Sequence, residues 1–148
     1  MKIEAMPLKR KDAMDRLMSL GPNIVEHSIK VTLNPSHQAA KHWCLEIIAW
    51  VDQAHDATFL KGGKRVAASD ADDALFHSFR EARVHFIVSE CVRFGLVSPA
   101  FSHASDIERL TKTLMSGLPA KFDRMLELVM SKTPTRLNEV LSPEFFAL

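Results

Sequence analysis

At 148 residues, with a formal net charge of +1, 47% hydrophobic and 25% charged residues, the chain has the make-up of one ordinary globular domain spanning 1–148. That length suffices to bury about two thirds of the unfolded surface without covalent staples. The charge balance excludes a protein drawn to nucleic acid or to an anionic membrane by its overall field, so any such partner has to meet a local patch.

Two cysteines, Cys44 and Cys91, cannot make a disulfide framework of the secreted kind. Met1 to Leu17 lacks an apolar run of signal-peptide length, and nowhere do about 18 apolar residues follow one another. The expectation is a cytoplasmic protein with no membrane span.

Leu8 to Leu20 reads as a first helix with Ala13, Met14, Leu17 and Met18 inward, ended by Gly21-Pro22. From Asn23 to Leu33 the pattern is ambiguous between helix and strand; with no second strand to pair with, it reads as a short helix followed by an extended connection. Asn34 to Leu60 is a long one-faced helix. Asn34 suits the N-cap and Pro35 the first helical position. Ala40, Trp43, Cys44, Ile47, Trp50, Val51, Ala54 and Thr58 share an apolar face centred on Trp50, opposite Gln38, His42, Glu46, Asp52, Gln53 and Asp56.

Lys61-Gly62-Gly63-Lys64-Arg65 breaks that helix, and a second long one starts at Ser69 or Asp70, with acidic residues in its first turn, and runs to Phe94 before Gly95. Two helices of matched length joined by a short loop predict an antiparallel hairpin. After a connection from Ser98 to Ala104, Ser105 and Glu108 form a capping box opening a helix that ends at Gly117. Pro119 opens the next, with Phe122, Met125, Leu126, Val129 and Met130 inward, and Thr133-Pro134 stops it. A short helix over 135–141 and an apolar tail from Ser142 to Leu148 close the chain. The fold expected is all-α: an antiparallel helical bundle built around a long helical hairpin, about 35–60 and 70–94, with shorter flanking helices.

The 70–94 helix is apolar nearly all round yet carries His77, Arg80, Glu81, Arg83, His85 and Glu90, which places it in a bundle centre or at a subunit interface. His77, Glu81 and His85 recur every fourth residue and would make one ridge able to offer two imidazoles and a carboxylate to a metal. Arg80 to His85 resembles the Arg-x4-His element of HEPN-type helical ribonucleases. The resemblance covers six residues and implies that Arg80 and His85 act on the scissile phosphate of RNA, commonly across a dimer interface. Lys61, Lys64 and Arg65, around two glycines, could cradle phosphate or nucleic acid, although the loop lacks the spacing of a phosphate-binding loop and follows a helix. His42 and Glu46 read as a solvated pair, and neither cysteine has a context that activates a thiolate.

No motif implies a cofactor. More apolar faces are present than one small bundle has to hide, among them the Phe145-Phe146 tail, which is expected to be covered by a second copy or by the chain's own bundle. The leading expectation is a non-enzymatic interaction or regulatory module that binds itself or a protein partner. The competing expectations are the ribonuclease through Arg80 and His85, the metal-binding bundle through His77, Glu81 and His85, and a nucleic-acid patch at the double-glycine loop.

Overall fold

The structure, a computed structural model, describes residues 6–98, 106–134 and 136–148. The chain is an all-α bundle. Its helices are α1 (Arg10–Leu33), α2 (Ala40–Ala57), α3 (Ala68–Phe76), α4 (Glu81–Arg93), α5 (Asp106–Met130) and the short α6 (Leu137–Val140), followed by a 3-10 turn at Pro143–Phe146. The strand-like pairings among the described residues are two single-residue bridges, Leu8 with Leu60 and Phe59 with Arg65.

Gly21-Pro22 does not end the first helix. α1 runs straight through both, because burial of Ile24, Val25, Ser28 and Ile29 beyond the proline outweighs the backbone bond that Pro22 cannot make. Gly21 is there for a different reason: a Cβ built on it would lie 1.9 Å from the Leu75 carbonyl oxygen, so its hydrogen lets the backbone of α3 lie directly against α1. Nor do Gly117 and Pro119 divide the fifth helix, which is continuous from Asp106 to Met130. There the missing Cβ makes room for the side chain of Leu148. The capping box expected at Ser105 and the connection before it lie outside the described residues.

Asn34 closes α1 and does not open α2. Its backbone N–H donates to the carbonyls of Lys30 and Val31, and its side-chain amide donates to Leu96 O at 3.1 Å. α2 is correspondingly shorter than expected. Its start is satisfied by His37, whose Nδ1 accepts from the Ala39 N–H at 3.0 Å while its ring stacks on Trp43. The face assignment stands, with one shift: Trp43 is the buried indole, whereas Trp50 is half-buried at the edge.

The expected 70–94 helix is two helices. Between them Phe79 N–H turns back to Phe76 O at 3.0 Å and Arg80 adopts an extended backbone. Neither proline nor glycine marks this break. Its cause is tertiary: Phe76 and Phe79 both pack on Phe122 of α5, one stacked at 4.6 Å and the other edge-on at 4.9 Å between centroids. As expected, Gly95 ends α4, with a positive φ of 66° and Leu96 N–H donating to Cys91 O in a Schellman-type stop.

The hub of the bundle is α1, not the 70–94 segment. It packs most extensively on α2, then on α3, and also on α4 and the 3-10 turn, while α5 packs chiefly on α4 and α2. α2 therefore pairs chiefly with the helix before it, and the second arm of the expected hairpin is shared between α1 and α5. The tail is covered by its own chain: Phe146 is fully buried and touches Phe145 edge-on. The tail thus supplies no argument for a second copy.

Candidate functional site

α4 begins at Glu81 with the acid in its first turn, where it complements the helix dipole, and buries Val84, Ile87, Val88 and Cys91. That leaves Ala82, Phe86, Ser89 and Arg93 along the opposite ridge, with Arg83 and Glu90 on one flank. Phe86 is 54% exposed and Phe94, just beyond the helix, 64% exposed. Each ring has an arginine over it: Arg83 lies 5.4 Å from the Phe86 centroid and Arg93 5.3 Å from that of Phe94. Glu90 sits 3.8 Å from Arg93.

The residues suggested by the sequence take different places. Arg80 is the N-cap of α4 and exposed, and the His85 Nε2 is 3.1 Å from Glu108 of α5, so the nearest polar partner of the imidazole is a carboxylate and not Arg80. The interruption before Glu81 removes the common ridge of His77, Glu81 and His85. His77 belongs to the end of α3, with its Nδ1 on Ala74 O at 2.9 Å, and among the described residues no three or more His, Cys, Asp or Glu side chains are gathered as a metal would need.

The double-glycine loop is also divided in role. Lys61 and Lys64 are exposed, but Arg65 turns inward, donating to the carbonyls of Val129, Met130 and Ser131 and to Thr58 Oγ1. Its cation is spent on the open C-terminal end of α5. Beside it His55 is buried, with Nδ1 2.9 Å from Val129 O. Both cysteines are buried and free, and desolvation pushes each thiol up to about 11, leaving almost no thiolate at neutral pH.

Sequence reasoning missed one polar cluster because its members come from two helices. Glu46 of α2 has His42 Nε2 at 2.7 Å from Oε1 and His27 Nε2, from α1, at 3.0 Å from Oε2. The His27 ring stands edge-on to Trp50, 4.7 Å between centroids. A separate groove of about 330 Å³ lies between the N-terminal segment, α1 and α2, where Arg16 donates to Gln53 at 3.0 Å beside Leu8, Asp12 and Asp56.

Comparison of the chain with protein-family models, curated proteins and solved structures finds no match.

Proposed function

We propose that this chain is a non-enzymatic interaction module that self-associates through the outer face of α4, its partner there being a second copy of the same chain. The observation that carries the reading is Phe86, exposed at the middle of a ridge whose charges are self-complementary. When two copies of α4 lie antiparallel across a two-fold axis at Phe86, the two Phe86 rings meet and Arg83 comes opposite Glu90 of the partner subunit. The two-fold axis makes this pair occur twice.

Aromatic and arginine side chains dominate the energetics of protein interfaces, and burying one phenylalanine is worth about 1.5–3 kcal/mol. Glu90, on the same flank as Arg83, would repel a polyphosphate, which favours protein over RNA as the occupant. The interface also leaves the thiols, the core and the 3-10 turn undisturbed.

Light scattering at tens of micromolar is expected to report a dimer. Phe86→Asp is expected to weaken it at least about tenfold, the equivalent of 1.4 kcal/mol. Arg83→Glu and Glu90→Arg are each expected to weaken it, and the two changes in one chain to restore it. A monomeric parent protein, or a dimer indifferent to Phe86→Asp, overturns the reading. RNA binding or cleavage by the monomer that is lost in Arg80→Ala would replace it with the ribonuclease.

A further inference from the structure

His27 has a hydrogen-bond acceptor against each of its ring nitrogens. Nδ1 is 3.0 Å from the Asn23 carbonyl oxygen, one turn back on α1, and Nε2 is 3.0 Å from Oε2 of Glu46 on α2. A carbonyl and an ionised carboxylate can only accept, and a neutral imidazole carries a single N–H. In the neutral ring, whichever tautomer forms, one of these contacts sets lone pair against lone pair. Only the imidazolium satisfies both.

The ring is not free to escape the conflict. It is half-buried in the α1–α2 seam with its edge on Trp50, and the other oxygen of Glu46 is engaged by His42. We infer that His27 and Glu46 form a proton-operated clasp across the α1–α2 seam: with one proton on the ring one contact is unmade, and a second proton closes both.

The surroundings set where the clasp operates. On α1, Lys30 opposes a charge on His27 and Glu26, 3.9 Å from the Lys30 ammonium, favours it; on α2, Glu46 favours it, with His42 on the far oxygen; on α4, the neutral Cys91 thiol is close enough to sense the Glu26–Lys30 pair and its neighbour Glu90. Burial is the largest influence and lowers the pKa below the ordinary value of 6.5, with Lys30 acting in the same sense and Glu46 and the Asn23 carbonyl against it. The ring is therefore mainly neutral at pH 7 and the clasp closes on acidification.

Since the folded-state pKa lies below the unfolded one, the stability contributed by the neutral ring is complete above about pH 6.5 and is lost as pH falls through the folded value. Acid tightens the seam locally while weakening the fold as a whole. This device is independent of the α4 interface.

Nitrogen-resolved NMR of the His27 ring between pH 8 and pH 5, with thermal melts at pH 8, tests the inference on the parent protein, Glu46→Gln and Glu46→Ala. Glutamine can donate its amide N–H to the lone pair of the neutral ring, so it should satisfy the form that the carboxylate leaves in conflict. In the parent protein both ring nitrogens are expected to be protonated at the acid end, and Glu46→Gln is expected to lower the His27 midpoint by about one pH unit, a tenfold loss of proton affinity. At pH 8 Glu46→Gln is expected to melt above both the parent and Glu46→Ala. An Nε2 that stays unprotonated through the acid range, a midpoint that Glu46→Gln leaves in place, or a glutamine variant melting no higher than the alanine one overturns the clasp. Glu46 lies on the outward side of α2, so both variants retain the core.

Discussion

Replacing Gly21 by alanine is expected to destabilise the protein by about 3 kcal/mol or more, the reverse of what the same change does inside an ordinary helix, where it gains about 1 kcal/mol. The reason is the object that the new methyl would strike. At Gly21 it is the backbone of Leu75, with the carbonyl oxygen 1.9 Å and the carbonyl carbon 2.6 Å from the Cβ position, and a backbone cannot turn aside as a side chain can. α3 would have to lift from α1, which also uncovers Leu17, Leu20 and Ala71.

Gly117 is the control built into the same molecule. It too lies inside a long helix, but its Cβ position is approached at 2.9 Å by the tip of Leu148, a half-exposed and adjustable side chain. Gly117→Ala is therefore expected to fall between neutral and a gain of about 1 kcal/mol. Urea unfolding midpoints of the two variants check the contrast; shifts in the same direction would mean that α1 and α3 are not in backbone contact.

Arg65→Ala is expected to cost about 3 kcal/mol. The guanidinium reaches Met130 O at 2.6 Å, Ser131 O at 3.0 Å and Val129 O at 3.2 Å, all carbonyls at the open end of α5, and lies 4.5 Å over the Phe59 ring. Bonds to a charged group are worth about 1.5–3 kcal/mol each where water is excluded, but this site is only partly buried, so water replaces some of what is lost. Arg65→Lys should recover no more than about half, because one ammonium cannot span that set of carbonyls. The measurement is the same denaturation midpoint, with Lys64→Ala as the exposed comparison expected to change by less than about 0.5 kcal/mol. An Arg65→Ala protein as stable as the parent would remove the capping role and return Arg65 to the loop's surface.

What the sequence made legible is whatever depends on residues near one another in the chain. The inward face of α2, the acidic first turn of α3, the glycine stop at Gly95 and the burial of both cysteines follow from periodicity and local chemistry. The errors share one origin. Gly21-Pro22 and Gly117-Leu118-Pro119 carry the local signature of helix ends, yet both glycines answer to a distant contact. Conversely, the interruption at 77–80 has no local signature, because Phe122, more than forty residues away, imposes it.

The polar sites divide the same way. Arg65 looks like a loop cation until α5 arrives, and His27 is unremarkable on α1 until α2 places Glu46 against it. The aromatic-arginine ridge of α4 could be drawn only after the 70–94 segment was known to be broken, since a continuous helix there would have been read as central.

The burial of Phe146 bears on the order of events in folding. The 3-10 turn rests on α1, α2 and α5 together, so its docking surface does not exist until those three helices have assembled. Its contacts with α1 join residues over a hundred positions apart, so they are expected to form after the rate-limiting step and to be absent from the transition state. Removing the ring with Phe146→Ala would then leave the refolding rate almost unchanged and appear nearly whole in a faster unfolding rate. On that outcome, read by stopped-flow refolding and unfolding, the turn is a kinetic brake that does little to bring the native state about and much to lengthen its lifetime once formed.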